Sequence, residues 1–361
     1  MPDITVLVKP ASGLCNMRCR YCFYYGLPEH NNGIMTDETL ETLVKRIFEY
    51  ASDKPSDINI AWQGGEPTLA GEEYFRKAVE LTKSLNTAKH RIHYSIQTNG
   101  YELSEGLADL FARENFLVGI SLDANREIHD MNRVDAAGKG TYDRVMKTVK
   151  LLRSKGVDFN ILCVISKAVA RNPAKVYNSL TRAGFDFLQF IPCFDDGQTG
   201  AHSIDSKLLG NFFCRLFDLW FDDIEKGKQI SIRDFDNYVM RAAGRLTEIC
   251  TMRGVCGCYF TVEADGNVYP CDFYVSPEWK MGNLADKSLF ELQGSETAKR
   301  FIEESKLHPD ECKNCRWYGF CGSGCRRLRN GVGVNNFCEA YKMLFEHAHE
   351  RIFYLARKFF S

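Results

Sequence analysis

Residues 15 to 22 read Cys15-Asn16-Met17-Arg18-Cys19-Arg20-Tyr21-Cys22, three thiols spaced C-x3-C-x2-C shortly after a strand-like alternation, Ile4 to Val8. The missing fourth thiol is informative. Structural zinc sites close with four ligands, and the nearest imidazole, His30, stands in an Asn- and Gly-rich stretch that reads as a solvated loop. A four-iron, four-sulfur cluster held by three cysteines instead leaves one iron open to another molecule. The loop therefore reads as a candidate iron–sulfur site that can take a chelating substrate or cofactor.

Outward from this loop, short β-rich runs alternate with amphipathic helical stretches. Strands are expected at Ile4 to Val8, Ile58 to Trp62, Ile92 to Gln97, Leu117 to Leu122, Phe159 to Ile165 and Phe187 to Ile191. After the first strand, Leu40, Leu43, Val44, Ile47 and Phe48 recur at helical spacing, with Thr36 as N-cap and Asp37 and Glu38 in the first turn. Further helices are expected at about 71–86, 104–114, 140–155 and 173–183, followed by a long one near 205–226. The β-then-α order predicts a parallel sheet with helices packed outside. Six such units are fewer than the eight of a closed barrel, so an open partial barrel and a doubly wound sheet both fit. Past a soft boundary near residue 230 the texture changes to loops and cysteines, with one hairpin over Phe260–Tyr269 turning at Asp265-Gly266 and a closing helix near 338–358.

Composition narrows the function classes. The 361 residues carry 46 Lys and Arg against 47 Asp and Glu, a formal charge of −1, so no global field favours nucleic acid or an anionic membrane. No run approaches the length of a membrane span, and Met1 to Pro10 lacks the pattern of a secretory signal, so the expected compartment is the cytoplasm. Fifteen cysteines, an odd number, argue there for metal binding rather than disulfides. Cys163, Cys193 and Cys214 sit in apolar sequence and are read as small buried hydrophobes.

The other cysteines crowd the last third. Cys312, Cys315, Cys321, Cys325 and Cys338 follow Cys250, Cys256, Cys258 and Cys271. Their C-x2-C step is also a zinc half-site, so paired zinc ribbons compete with iron–sulfur clusters on spacing alone. Gln63-Gly64-Gly65-Glu66-Pro67, after the second strand, is likewise a tight turn or a ligand cradle.

Together the C-x3-C-x2-C loop, the aromatic Tyr21 before its third cysteine and Gly64-Gly65-Glu66-Pro67 resemble the radical S-adenosylmethionine (SAM) superfamily. That resemblance implies a partial (β/α)6 barrel in which Cys15, Cys19 and Cys22 hold a cluster whose open iron chelates SAM. It also implies that Gln63, Gly64, Gly65, Glu66, Gln97, Ser121 and Arg133 face the cofactor along with Tyr21. The cysteine-rich C-terminal part resembles the SPASM domain, which holds two auxiliary four-iron, four-sulfur clusters. Its ligand pattern implies Cys250, Cys256, Cys271 and Cys325 on one and Cys312, Cys315, Cys321 and Cys338 on the other, with Cys258 left over. Residues 1–230 then form the barrel and residues 231–361 the SPASM domain with its closing helix.

Over nearly its whole length the chain resembles the anaerobic sulfatase-maturating enzymes, through stretches such as Lys9-Pro10-Ala11-Ser12, Gln97-Thr98-Asn99-Gly100 and Tyr269-Pro270-Cys271-Asp272-Phe273-Tyr274. The activity implied is oxidation of a cysteine or serine in a C/S-x-P/A-x-R sulfatase motif to Cα-formylglycine. Asp272 would accept the proton, Tyr24 would line the peptide site, and flavodoxin or ferredoxin would supply electrons. Two other readings compete: a crosslinking maturase of ribosomal peptides, disfavoured because the first ligand is already residue 15, and a non-catalytic zinc scaffold.

Overall fold

The computed structural model describes residues 4–24, 31–51, 53–194 and 203–360, so His30 lies outside the described residues. The expected alternation is present: β1 (Ile4–Val8), α1 (Asp37–Tyr50), β2 (Asp57–Trp62), α2 (Glu72–Leu85), β3 (Arg91–Thr98), α3 (Glu105–Arg113) and β4 (Leu117–Ser121). Then come α4 (Arg126–Asp130), α5 (Tyr142–Lys155), β5 (Phe159–Ile165), α6 (Lys167–Ala170), α7 (Pro173–Arg182), β6 (Phe187–Pro192) and α8 (Ser206–Glu225). The short β7 (Ser231–Ile232) and α9 (Arg233–Ala242) precede the hairpin of β8 (Phe260–Val262) and β9 (Asn267–Tyr269). The chain continues through β10 (Gly282–Asn283), α10 (Leu289–Gln293), α11 (Glu296–Ser305), α12 (Asp310–Lys313), α13 (Tyr318–Cys321) and α14 (Cys338–Phe360).

Two compact units are built from interleaved stretches. The first takes the chain up to Ser121, residues 133–159 and residues 257–302; the second takes residues 122–132, 160–256 and everything from 303 onward. The hairpin segment groups with the first four strands, while β5 and β6 fall in the same unit as the C-terminal helix, which packs on α8 and α9.

In the first unit β1, β2, β3 and β4 are parallel neighbours, with Val8 beside Trp62, Trp62 beside Ile96 and Thr98 beside Ile120. This register brings the carboxyl ends of all four strands to one edge of the sheet, where α/β folds place their sites. Alternation explains the strands: Ile58, Ile60 and Trp62 of β2 are buried while the residues between them are only partly so. Trp62 stacks on Phe116, which in turn stacks on Phe111 and Tyr94, at centroid separations of 5.4, 4.7 and 4.9 Å. Each such buried aromatic contributes about 1.5–3 kcal/mol of burial free energy. Thr36 caps α1 as expected, its hydroxyl accepting from the Thr39 amide, and Leu40, Leu43, Val44 and Ile47 face inward.

The hairpin turns at Gly266 (φ +79°), which the Glu263 amide closes by donating to the Asn267 carbonyl. Its place in the sheet is a finding beyond the sequence reading: β8 lies parallel to β1, pairing Val262 with Val8, and β9 and β10 add antiparallel strands outside it.

In the second unit β5, β6 and β7 are parallel neighbours, and α8, α9 and α14 build an aromatic core. Tyr238 meets Phe345 edge-on at 5.0 Å and Phe213 stacks on Tyr341 at 6.0 Å. Cys163 and Cys193 are buried as expected, and burial pushes the half-buried Cys214 thiol up to about 11.

Candidate functional site

At the carboxyl edge of the first unit, the loop carrying Cys15, Cys19 and Cys22 is fixed by backbone bonds. The Gly65 amide donates to the Ser12 carbonyl and the Glu66 amide to the Leu14 carbonyl, both at 2.7 Å. A Cβ on Gly65 would lie 2.2 Å from the Leu14 oxygen, and one on Gly64 (φ +119°) would lie 2.7 Å from the Ser12 oxygen. The Gly64-Gly65 pair is therefore required to seat the cysteine loop, whatever else it binds. Arg18 extends the clamp, its amide donating to the Val134 carbonyl at 2.7 Å.

Glu66 is wholly buried, and its carboxylate accepts from the Thr68 amide and hydroxyl, the Thr98 hydroxyl and the Asn99 amide. Burial pushes this carboxyl up and those bonds pull it back. The same Asn99 directs its Nδ2 to the Cys15 sulfur at 3.4 Å and to Asn16 Oδ1 at 2.8 Å. Sequence reasoning quoted Asn99 but gave it no role; its place one residue past the end of β3 was the available signal. Cys15 also accepts from the Met17 amide, and burial pushes its thiol up, with the charges of Glu66 and Cys22 adding to the effect. N–H donors aimed at a sulfur are the interactions that tune an iron–sulfur cluster.

The remaining expected cofactor residues lie along this edge. Gln63 follows β2, Gln97 is exposed near the end of β3 and Ser121 ends β4 half-buried. Arg133 is buried, its guanidinium 5.4 Å from the centre of the Tyr21 ring, and its carbonyl accepts from the Thr141 hydroxyl.

Asp272, just past the hairpin, is held on one oxygen by two side chains. The Tyr24 hydroxyl donates to its Oδ1 at 2.5 Å, and the Lys9 ammonium stands 2.7 Å from the same oxygen. Lys9 also pairs with Glu263 at 3.1 Å, and Glu263 accepts from the Ser12 hydroxyl at 2.6 Å. Burial and the neighbouring Asp272 carboxylate hold the Tyr24 hydroxyl well above the ordinary tyrosine range. Sequence reasoning quoted Lys9 and read Glu263 only as part of the hairpin, giving neither a role. Their proximity follows from the parallel pairing of β1 with β8, which sets residue 9 beside residue 263 just past the strand ends.

In the second unit, Cys312, Cys315, Cys321 and Cys338 line one cavity of about 340 Å³ with Trp317, Tyr318, Tyr341 and Phe345. Burial pushes the Cys321 thiol up to about 12, reinforced by the charges of the other three. The loop after Cys321 turns through three left-handed residues, Gly322, Ser323 and Gly324, and a Cβ on Gly324 would meet Asn335 Nδ2 at 2.0 Å. That tight turn delivers Cys325, whose thiol burial pushes up to about 11 with added repulsion from Cys250 and Cys256. Cys256 also donates its amide to the Ser305 hydroxyl. Cys258, in the first unit, instead faces the Met281 sulfur at 3.7 Å, which favours Cys256 as the ligand. Cys271 immediately precedes the turn Asp272–Tyr274 in the first unit. Four thiols lining an aromatic-walled cavity, Cys312 buried and the other three half-buried, are a soft donor set that fits an iron–sulfur cluster, and the three-thiol loop fits one with an open position.

Family comparison adds independent information. Residues 10–168 match the radical SAM superfamily and residues 250–316 an iron–sulfur cluster-binding domain. The chain is 42% identical to the cysteine-type anaerobic sulfatase-maturating enzyme of Clostridium novyi (strain NT), covering 99% of this chain and 98% of that one. It is 31% identical to the serine-type enzyme of Bacteroides thetaiotaomicron, covering 95% and 88%. Native anSMEcpe with bound AdoMet and Kp18Cys peptide superposes with a TM-score of 0.94 at 40% identity, covering 99% of this chain and all of that one.

Proposed function

We infer the reaction from one premise: the chain belongs to the anaerobic sulfatase-maturating enzymes of the radical SAM superfamily. It is an oxidoreductase that converts a cysteine in a sulfatase C-x-P/A-x-R motif to Cα-formylglycine. Higher identity to cysteine-type than to serine-type relatives favours cysteine as the target. Bound at Cys15, Cys19 and Cys22, a four-iron cluster with SAM supplies hydrogen-atom abstraction from the substrate methylene. Gln63, Gly64, Gly65, Glu66, Gln97, Ser121, Arg133 and Tyr21 would hold the cofactor, with Arg133 suited to its carboxylate and Ser121 to its ribose. Cys250, Cys256, Cys271 and Cys325, and separately Cys312, Cys315, Cys321 and Cys338, would hold two further clusters suited to electron transfer.

The carrying observation is the hydrogen bond from Tyr24, two residues beyond the third thiol, to Asp272. Abstraction leaves a carbon-centred radical whose thiol must give up its S–H proton and whose carbon must give up one electron to become a thioaldehyde, and a carboxylate tied to the cluster loop would take that proton. Water then converts the thioaldehyde to the aldehyde and releases sulfide. Tyr24 orients the base and borders the peptide. A flavodoxin or ferredoxin fits as electron donor. Among the described residues no helix is long and apolar enough to cross a membrane.

Incubation of the reconstituted protein with SAM, reductant and a C-x-P-x-R peptide tests the reading. An aldehyde-bearing peptide that has lost its sulfur, with one deoxyadenosine per conversion, is expected. Deoxyadenosine accompanied only by crosslinked or unchanged peptide would overturn it.

A further inference from the structure

Lys9 is the most deeply buried cation near the site, with no exposed surface. Burying an ammonium costs several kcal/mol unless it is paired with good geometry, and this one faces two carboxylates, Asp272 at 2.7 Å and Glu263 at 3.1 Å. Its stem is boxed as well. A Cβ on Gly64 would come within 3.2–3.3 Å of Lys9 Cγ and Cβ, so the glycine that seats the cysteine loop also packs against the lysine. Glu263 is in turn held from its other oxygen by Ser12, on that same loop. The ammonium lies 4.6 Å from the centre of the Tyr24 ring, on the residue that also grips Asp272.

Resting on the reading above, we propose that Lys9 is a positioning residue for the base: anchored by Glu263, it pins Oδ1 of Asp272 together with Tyr24 and so leaves Oδ2 to face the substrate thiol. A lone aspartate at a turn rotates about its terminal torsion, so that its acceptor oxygen is aimed only part of the time. A hydroxyl that donates to one oxygen and an ammonium paired with that same oxygen remove that freedom, much as a third group orients the base in other catalytic sites. Glu263 balances the buried cation and fixes where it stands. Lys9 itself touches neither cofactor nor substrate in this arrangement; it acts through Asp272.

The test compares the wild type with Glu263→Gln, which removes the anchor, and with Lys9→Met/Glu263→Gln, which removes the cation and its balancing carboxylate together. All are reconstituted with iron and sulfide and assayed with a C-x-P-x-R peptide. The quantity read is formylglycine formed per deoxyadenosine, alongside peptide KM. The double variant is expected to keep cleaving SAM while this ratio falls by about 10-fold or more, and Glu263→Gln to lower it by about 3-fold, with KM within about 2-fold of wild type. An unchanged ratio in either folded variant overturns the proposal. So does a parallel loss of SAM cleavage and peptide oxidation, which marks a merely structural lysine. If the double variant does not fold, the Glu263→Gln ratio decides alone. Wild-type enzyme that cleaves SAM without making aldehyde would instead refute the underlying function.

Discussion

Two of the thiol groups differ in number and surroundings, and the contrast bears on the work proposed for each. In the first unit three cysteines sit on a loop stitched to a charged corner of Lys9, Glu263, Asp272 and Tyr24. In the second, four cysteines share a cavity walled by Trp317, Tyr318, Tyr341 and Phe345. An incomplete ligand set beside groups that can take a proton suits bond-breaking chemistry; a complete set in aromatic walls suits storage and passage of electrons.

The strongest test of this contrast removes thiols from each side. Replacing Cys15, Cys19 and Cys22 by Ala is expected to abolish deoxyadenosine formation, whereas Cys312→Ala/Cys315→Ala should leave a single turnover of SAM cleavage while lowering iron content and formylglycine yield. Equal loss of SAM cleavage in both would erase the distinction. Next in size, Asp272→Asn should preserve deoxyadenosine and cut formylglycine by about 100-fold, the usual contribution of a positioned base, as followed by mass spectrometry of the peptide.

Gly65→Ala probes the loop rather than its ligands. Its new methyl would strike the Leu14 carbonyl, so melting should show a loss of about 1–3 kcal/mol with reduced iron at the first site. The smallest effect contrasts how the units bury carboxylates. Glu263 and Asp272 have a cation, whereas Asp236 of the second unit has the Ser231 hydroxyl, and burial pushes its carboxyl up to about 6. The folded state therefore holds a proton that the unfolded chain has already released between about pH 4 and pH 6, and stability falls as pH rises through that window. Asp236→Asn should raise stability by about 1 kcal/mol at pH 7, with the gain vanishing below about pH 4 in pH-dependent thermal melts.

Most of the repeating architecture was legible because its signals are local. Alternating burial in β2, the Thr36 cap and the C-x3-C-x2-C spacing each lie within a few residues. The corner that completes the site was not. Ser12 and Glu263 are 251 positions apart, and nothing near either one announces that the hairpin will lie parallel to β1. Likewise Gly64-Gly65 reads in sequence as a turn or a ligand cradle, while its packing against Ser12, Gly13 and Leu14 exists only once two loops meet. Cysteine density marks a change in chemistry near residue 230, whereas the compact units interleave along the chain.

The pairing of β1 with β8 also orders events in time. A chain leaving the ribosome presents its amino end first, so Cys15, Cys19 and Cys22 emerge long before Val262 can dock beside Val8. A nascent or truncated product ending between residues 22 and 271 carries Cys15, Cys19 and Cys22 and lacks Asp272. Such a fragment has an ignition without an exhaust, and late docking of the hairpin is the step that converts a metal-binding loop into a finished catalyst.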